Sequence, residues 1–426
     1  MVMGNLTTVI KDIYEKGGRK FAFINVAPLG CVPVARASNP GNTGACMEEL
    51  TSLARLHNKA LPYLLQTLVS QLKGFRYSNT NFYSFLIERM NDPAKYGQEV
   101  VQGRSARHHH HSSSHSSPSK LFVFGDSYSD TGNTNKSQAS WKYPYGITFP
   151  GKPAGRFSNG RVLTDFVAKF IGVRSPIPYR WRKYGIPLLR YGMNFAYGGT
   201  GVFDTINTGP NMTTQIDLLE CLVKDGVFTI RDLESSVSLV TVVGNDYNTY
   251  QIRNGSAQGW ESFITSLVNQ ITTNLKRIHG LGVKKVAVNA LQPLGCLPSF
   301  TATFSFHKCN ETINSLVSFH NLFLQQAVAK LNNETKDSPF VILDLYESFM
   351  SILNSQGSIK FVNPLKPCCF GISSEYSCGS EDESGARKYT LCEDPESAFF
   401  WDSLHPTQKG WSAVYSALQA STLRQL

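Results

Sequence analysis

No stretch of this 426-residue chain approaches the about 18 uninterrupted apolar residues of a membrane-spanning helix. Zinc-type Cys-x2-Cys spacing is absent, which argues against a structural metal site. Gly198-Gly199 sits in a glycine-rich turn, but the lysine of a P-loop is missing, so a phosphate cradle is not indicated. Charge is sparse: Asp, Glu, Lys and Arg make up 17% of the chain, and the excess of bases gives a net charge of +10. Those bases are scattered over the whole chain, and no nucleic-acid-binding motif accompanies them, so nucleic acid is not an expected partner. A generally basic surface suits an acidic matrix or an anionic lipid surface instead. The Met1 end shows none of the charged-then-apolar-then-small order of a signal peptide.

Other features point toward the secretory route. Nine cysteines are present, and Cys296, Cys309, Cys368, Cys369, Cys378 and Cys392 stand in spaced, loop-like contexts that suggest disulfides and an oxidising compartment. Asn135, Asn211, Asn254, Asn310 and Asn333 each begin an Asn-x-Ser/Thr sequon.

The chain also repeats part of itself. Pro28-Leu-Gly-Cys-Val-Pro33 matches Pro293-Leu-Gly-Cys-Leu-Pro298 at an offset of 265. After a two-residue gap, Cys46 matches Cys309, His57-Asn58 matches His320-Asn321, and Tyr83 matches Tyr346, at 263. Two copies at so long a period do not make a solenoid. Between them, residues 101–119 carry a His- and Ser-rich low-complexity run that cannot bury apolar surface and reads as a linker. The expected organisation is a truncated fragment at 1–100, a linker at 101–119 and a complete unit at 120–426. The front copy begins after the position that corresponds to Ser127 and stops before those of Asp402 and His405, so it is not expected to be an enzyme in its own right.

Within the complete unit, strand-like runs alternate with helical patterns. Leu121–Phe124, Val237–Val243, Val283–Leu291 and Phe340–Leu345 read as strands. Glu261–His279 and Glu311–Leu331 carry apolar residues at helical spacing. That alternation predicts a parallel sheet covered on both faces, with reacting groups outside the carboxyl ends of the strands.

Two motifs carry chemistry. Phe124-Gly-Asp-Ser127 directly follows the first strand, and Asp402 and His405 stand three apart in Phe400-Trp-Asp-Ser-Leu-His-Pro-Thr407. A serine hydroxyl needs a base within hydrogen-bond reach and an acid to orient that base. Ser127, His405 and Asp402 supply these three residue types. Taken alone, Asp402 could equally be a helix cap. The serine turn reads Gly-Asp-Ser-Tyr-Ser-Asp and is not the Gly-x-Ser-x-Gly elbow of the α/β-hydrolases. An acyl-transfer site also needs donors aimed at the developing oxyanion. Candidates are the Asn245 amide in Val243-Gly-Asn-Asp246, backbone N–H groups of the Asn194–Gly201 turn, and the Ser127 N–H.

In their order, these blocks resemble those of the SGNH, or GDSL, hydrolases. Phe122–Asn133, Gly155-Arg-Phe-Ser-Asn-Gly-Arg161, Pro293-Leu-Gly-Cys296 and Phe400–Thr407 look like the plant GDSL esterase/lipase family, over about residues 120 to 420. The resemblance implies a three-layer α/β/α flavodoxin-like domain, cofactor-free hydrolysis of lipid or other acyl esters, and secretion. It makes Ser127 the nucleophile, Asp402 and His405 the rest of the triad, and Ser127, Gly199 and Asn245 the oxyanion hole. Spacing suggests a Cys296–Cys309 disulfide, mirrored by Cys31–Cys46. Acyl transfer to an alcohol other than water uses the same triad, and a non-catalytic binding or defence-accessory protein could be built on the same fold. A front fragment competing for the sheet positions of its own match would instead leave the chain inactive. Pocket shape is expected to depend on the loops Tyr143–Gly160 and Lys366–Asp394.

Overall fold

A computed structural model describes residues 2–32, 35–36, 45–91, 120–242, 244–354 and 361–426. The expected linker at 101–119 lies outside them. The chain divides into two compact units, Met1–Ser113 and Ser114–Leu426.

In the front unit, α1 (Val2–Glu15) precedes β1 (Lys20–Ile24), α2 (Glu48–Gln71), β2 (Arg76–Thr80) and α3 (Phe82–Asn91). The two strands pair in parallel, and Ile10, Leu61, Leu65, Leu68 and Phe75 form a small core. A Cys31–Cys46 disulfide closes the segment ahead of α2.

The back unit is built on a six-stranded sheet. Its strands are β3 (Lys120–Phe124), β4 (Ile177–Pro178), β5 (Gly192–Asn194), β6 (Ser236–Val240), β7 (Lys285–Asn289) and β8 (Phe340–Leu343), in the order β4-β5-β3-β6-β7-β8. Every neighbouring pair is parallel. Leu121 to Phe124 are all fully buried, as a central strand covered on both faces requires. The longer helices are α4 (Leu163–Phe170), α5 (Met212–Lys224), α6 (Asn245–Ile252), α7 (Trp260–Gly280), α8 (Glu311–Glu334), α9 (Leu345–Leu353) and α10 (Gln408–Ala420). Right-handed crossovers put α5, α7 and α8 on one face and α4 on the other, because the chain moves outward from β3 in opposite directions. The packing agrees: α7 touches α5 and α8, while α10 touches α4 and α9. The result is three layers, α/β/α. In α7 the buried residues Ile264, Leu267, Val268, Ile271, Leu275 and Ile278 repeat at helical spacing. No helix among the described residues is long and apolar enough to cross a membrane.

The winding direction reverses beside β3, so the carboxyl ends of β3, β5 and β6 open onto a topological switch point. The expected strand Val237–Val243 pairs only over Ser236–Val240. Beyond it, Val242 N donates to Asn289 Oδ1 at 2.7 Å, and Asn289 Nδ2 donates to Val242 O at 2.9 Å, so a side chain takes over from the ladder. Phe340–Leu345 likewise stops at Leu343, because Asp344 caps α9 by accepting from Glu347 N at 3.0 Å.

Corresponding residues of the repeat make the same contact in both units. Asn58 Nδ2 donates to Val26 O and its Oδ1 accepts from Val26 N, both at 2.7 Å. Asn321 does the same with Leu291, at 2.9 and 2.8 Å. Cys296 pairs with Cys309, Cys368 with Cys392 and Cys369 with Cys378, while Cys221 is free and exposed. These bonds fit an oxidising compartment.

Candidate active site

Directly past β3, the chain turns sharply at Gly125, whose φ is +129°. A Cβ there would lie 2.2 Å from Thr241 Oγ1, so only glycine fits. Gln215 of α5 pins the turn from below: Gly125 N donates to its Oε1 at 2.7 Å, and its Nε2 donates to Gly125 O at 2.9 Å. Ser129 N and Asp130 N both donate to Asp126 O, coiling the chain around Ser127.

The late loop meets this turn from the far end of the sequence. Ser127 Oγ lies 2.7 Å from His405 Nε2, and His405 Nδ1 lies 2.8 and 2.9 Å from the two oxygens of Asp402. All three are buried, each 6% exposed. Asp402 folds back on its own loop, accepting from Leu404 N at 2.9 Å and His405 N at 2.8 Å. Asp402 is therefore not a helix cap; Thr407 caps α10 by accepting from Gly410 N at 2.8 Å. Burial pushes the Asp402 carboxyl up. The His405 charge and the bonds from His405, Leu404 and Tyr145 outweigh that and hold it below the usual carboxylate range. With Asp402 ionised, Nδ1 keeps its proton and Nε2 presents a lone pair to the Ser127 hydroxyl.

Neighbouring segments hold this loop in place. Tyr145 Oη donates to Asp402 Oδ2 at 2.7 Å. Burial, with the Asp402 charge beside it, pushes the Tyr145 phenol well up and keeps it a donor. Phe157 stacks on the His405 ring at 5.0 Å, and the Tyr128 ring lies edge-on at 5.8 Å. Phe157 is anchored through Arg156, whose guanidinium makes two 2.9 Å bonds to buried Asp165. Ser158 Oγ donates to Pro406 O at 3.0 Å, tying the same segment to the His405 loop. On the other side, Cys369 N donates to Trp401 O at 2.7 Å, so the stapled insert braces the residue before Asp402. Tyr145, Trp401 and the cysteines Cys368, Cys369 and Cys378 share one small core.

Asn245 is not at the strand end itself. It opens α6, behind Gly244 at φ +113°, and lies beside Ser127 in the wall of the cavity described below. Its Nδ2 donates to Thr200 O at 2.9 Å, which leaves one amide hydrogen to spare. Gly199 has φ +83°, and a Cβ there would lie 2.3 Å from Asn207 Nδ2. The N–H groups of Ser127 and Gly199 donate to no acceptor among the described residues. Gly199 does not itself line the cavity.

Two buried carboxylates hold the glycine turn, and the sequence reading did not single them out. Asp130 accepts from Gly132 N, Asn133 N, Thr134 N and Gly198 N at 2.6–3.1 Å. Asp246 accepts from Val202 N at 3.0 Å and Phe203 N at 2.9 Å. The only sequence signal for Asp130 is a short acidic side chain ahead of Thr-Gly-Asn, which marks a turn. Burial pushes both carboxyls up to about 6 against the bonds they accept. The folded chain therefore holds these protons more tightly than the unfolded chain. Their contribution to stability is complete below about 3.8 and is lost as pH rises through about 6. Asp402 and Asp165, held low, carry the opposite sign: they stabilise above the usual carboxylate range and lose this as pH falls through their folded values. The thermal midpoint is expected to rise on mild acidification from neutrality and then fall. Asp246→Asn should flatten the upper arm. Midpoints that drop steadily below neutrality in both proteins would refute this.

Ser127 and His405 line a cavity of about 330 Å³, with Asp402 behind His405. Its apolar walls come from Trp260 of α7, Leu294, Leu297 and Phe300 after β7, and Ile313 and Val317 of α8. The loops Tyr143–Gly160 and Lys366–Asp394, expected to shape the pocket, contribute no lining residue. They brace the Asp402–His405 loop instead, because both pack behind it. The Cys296–Cys309 bond fixes one wall, tying the Leu294–Phe300 segment to the start of α8.

The family described as GDSL-like Lipase/Acylhydrolase matches residues 121–418. A GDSL esterase/lipase of Arabidopsis thaliana is 58% identical over 316 residues, covering 72% of this chain and 88% of the relative. A second from the same plant is 53% identical over 309 residues, covering 71% and 87%. A solved structure of a catalytic mutant of an acetylxylan esterase from Geobacillus stearothermophilus aligns at 13% identity with a TM-score of 0.34, covering 72% of this chain and 93% of that one. That last likeness is too slight to carry weight. The match across 121–418 and the identity to the Arabidopsis proteins establish that the chain belongs to the GDSL-like lipase/acylhydrolase family and is a carboxylic ester hydrolase.

Proposed function

We propose that this protein is a secreted serine esterase that cleaves esters of apolar acyl chains through an acyl-enzyme on Ser127. The observation carrying this reading is the unbroken hydrogen-bond chain from Ser127 through His405 to Asp402, with Ser127 and His405 lining an apolar cavity.

Ser127 Oγ attacks the ester carbonyl carbon as its proton passes to His405 Nε2. The carbonyl π electrons move to oxygen, and Asp402 stabilises the imidazolium that forms. Three donors face the oxyanion: the N–H groups of Ser127 and Gly199, and the spare Asn245 hydrogen. Collapse of the tetrahedral species breaks the bond to the alcohol, which leaves with the proton from His405. Water, deprotonated by the same Nε2, then attacks the acyl carbon; the bond to Ser127 Oγ breaks, His405 returns the proton to Oγ, and the carboxylic acid leaves.

Asn245→Ala is expected to lower kcat by about 10²- to 10³-fold with little change in KM, since one oxyanion donor is lost. Unaltered kcat would remove Asn245 from the hole. The acyl reading is tested with p-nitrophenyl esters of increasing chain length. Ile313→Trp, which fills the cavity wall, is expected to leave acetate hydrolysis near wild type and raise KM for long chains. Equal effects on all chain lengths would place the acyl group elsewhere.

A further inference from the structure

Scattered as the bases are over the chain as a whole, one stretch is an exception. Between Asp165 and Asp204 there is no acidic residue, while Lys169, Arg174, Arg180, Arg182, Lys183 and Arg190 are all cationic. None of the five from Arg174 onward forms an ion pair with a described residue. Aromatic faces support them instead. Arg182 lies 3.9 Å from the Tyr179 ring, and Arg174 and Arg190 lie 5.8 and 5.0 Å from the Tyr191 ring. Lys136 approaches Trp181 at 5.9 Å, and Trp181 touches Tyr184. Among these cations stand apolar side chains turned to water: Tyr184 is 82% exposed, Ile186 66% and Leu188 39%.

Residues 179–182 of this segment adjoin the turn that follows Ser127. The segment brackets β4: Arg174 precedes it, Tyr179 follows its carboxyl end, and Tyr191 leads into the amino end of β5, while Arg180 N donates to Asn133 Oδ1 at 3.0 Å. The Arg180 guanidinium also bonds Thr134 O. Asn133 and Thr134 belong to the same turn that Asp130 organises behind Ser127.

We propose that residues 174–191 are the surface by which this enzyme docks on an anionic lipid bilayer; that it acts there on membrane-borne esters rests on the esterase reading above. Cations without acid partners suit lipid phosphates, and aromatic side chains suit the interfacial layer. Ile186 and Leu188 decide between partners. Exposed aliphatic groups gain burial among acyl chains, whereas an acidic polysaccharide offers them none. A second copy of the chain is disfavoured, because a self-complementary contact would set like charges against each other.

The test uses the full chain and sedimentation with phosphatidylcholine vesicles, made with and without phosphatidylglycerol. Hydrolysis of soluble p-nitrophenyl butyrate is followed in parallel. Binding is expected only with the anionic lipid and should weaken as salt is added. Lys183→Glu with Arg190→Glu should lower the partition coefficient by at least about thirty-fold. Ile186→Ser with Leu188→Ser should weaken binding while keeping its salt dependence. All four positions are exposed and outside the catalytic machinery, so butyrate turnover should stay unchanged in both variants. A butyrate-active protein that ignores anionic vesicles, binds neutral ones equally, keeps its binding after charge reversal, or prefers polygalacturonate would overturn the docking surface. Vesicle binding without butyrate turnover would leave the surface standing and sink the esterase reading instead.

Discussion

Ser127→Ala is expected to lower kcat by at least about 10⁴-fold on every ester the wild type cleaves, with KM and thermal midpoint little changed. The size of the effect follows from its position. Ser127 Oγ is the atom 2.7 Å from the base, beside both the cavity and the donor groups, so the covalent step ends when it is removed. Some rate above water should remain, since the cavity and the donors of Gly199 and Asn245 still bind the ester. The stability forecast is separate. Ser127 lines the cavity, and loss of its hydroxyl leaves no buried carboxylate without a partner, so the cost is within the range of ordinary substitutions. Retention of more than a small fraction of activity would remove Ser127 from the mechanism.

Asp402→Asn is expected to cost about 10⁴-fold in kcat, nearly as much, while leaving the loop intact. Asp402 Oδ1 accepts from Leu404 N and His405 N, and an asparagine carbonyl can keep those two bonds. Its amide then falls where Oδ2 accepts from Tyr145 Oη and approaches His405 Nδ1. Tyr145 can turn its hydroxyl to accept, but an N–H pointed at Nδ1 favours the tautomer with the proton on Nε2. That tautomer cannot take the Ser127 proton. Wild-type kcat/KM in a folded Asp402→Asn variant would show that Asp402 only shapes the loop.

Much of this arrangement could be read from the chain. The runs at Leu121–Phe124 and Phe340–Leu343 are buried strands because they are continuously apolar, and α7 was legible from its repeating apolar face. Ser127, Asp402 and His405 are candidates in the chain because a serine nucleophile needs a base and an acid, and the fold brings the three within hydrogen-bond reach. What escaped notice depends on contacts between distant parts of the chain. Strands β4 and β5 are two and three residues long, too short for any period to show. Tyr145 reaches Asp402 across 257 residues, and nothing local to it marks that role. Nothing local marks Asp130 and Asp246 as buried, because their burial comes from tertiary packing. The pocket walls were misassigned for the same reason. Leu294, Phe300 and Ile313 meet only once the Cys296–Cys309 bond and the turn after β7 bring them together.

In the proposed mechanism Ser127 becomes acylated with His405 as its base. The most direct test treats the full chain with a fluorophosphonate and maps the adduct by peptide mass spectrometry while esterase activity is followed. One adduct, on the peptide containing Ser127, is predicted to appear at the rate at which activity disappears, and His405→Ala should slow both together. Activity lost through an adduct elsewhere, or hydrolysis continuing after Ser127 is fully modified, would contradict it.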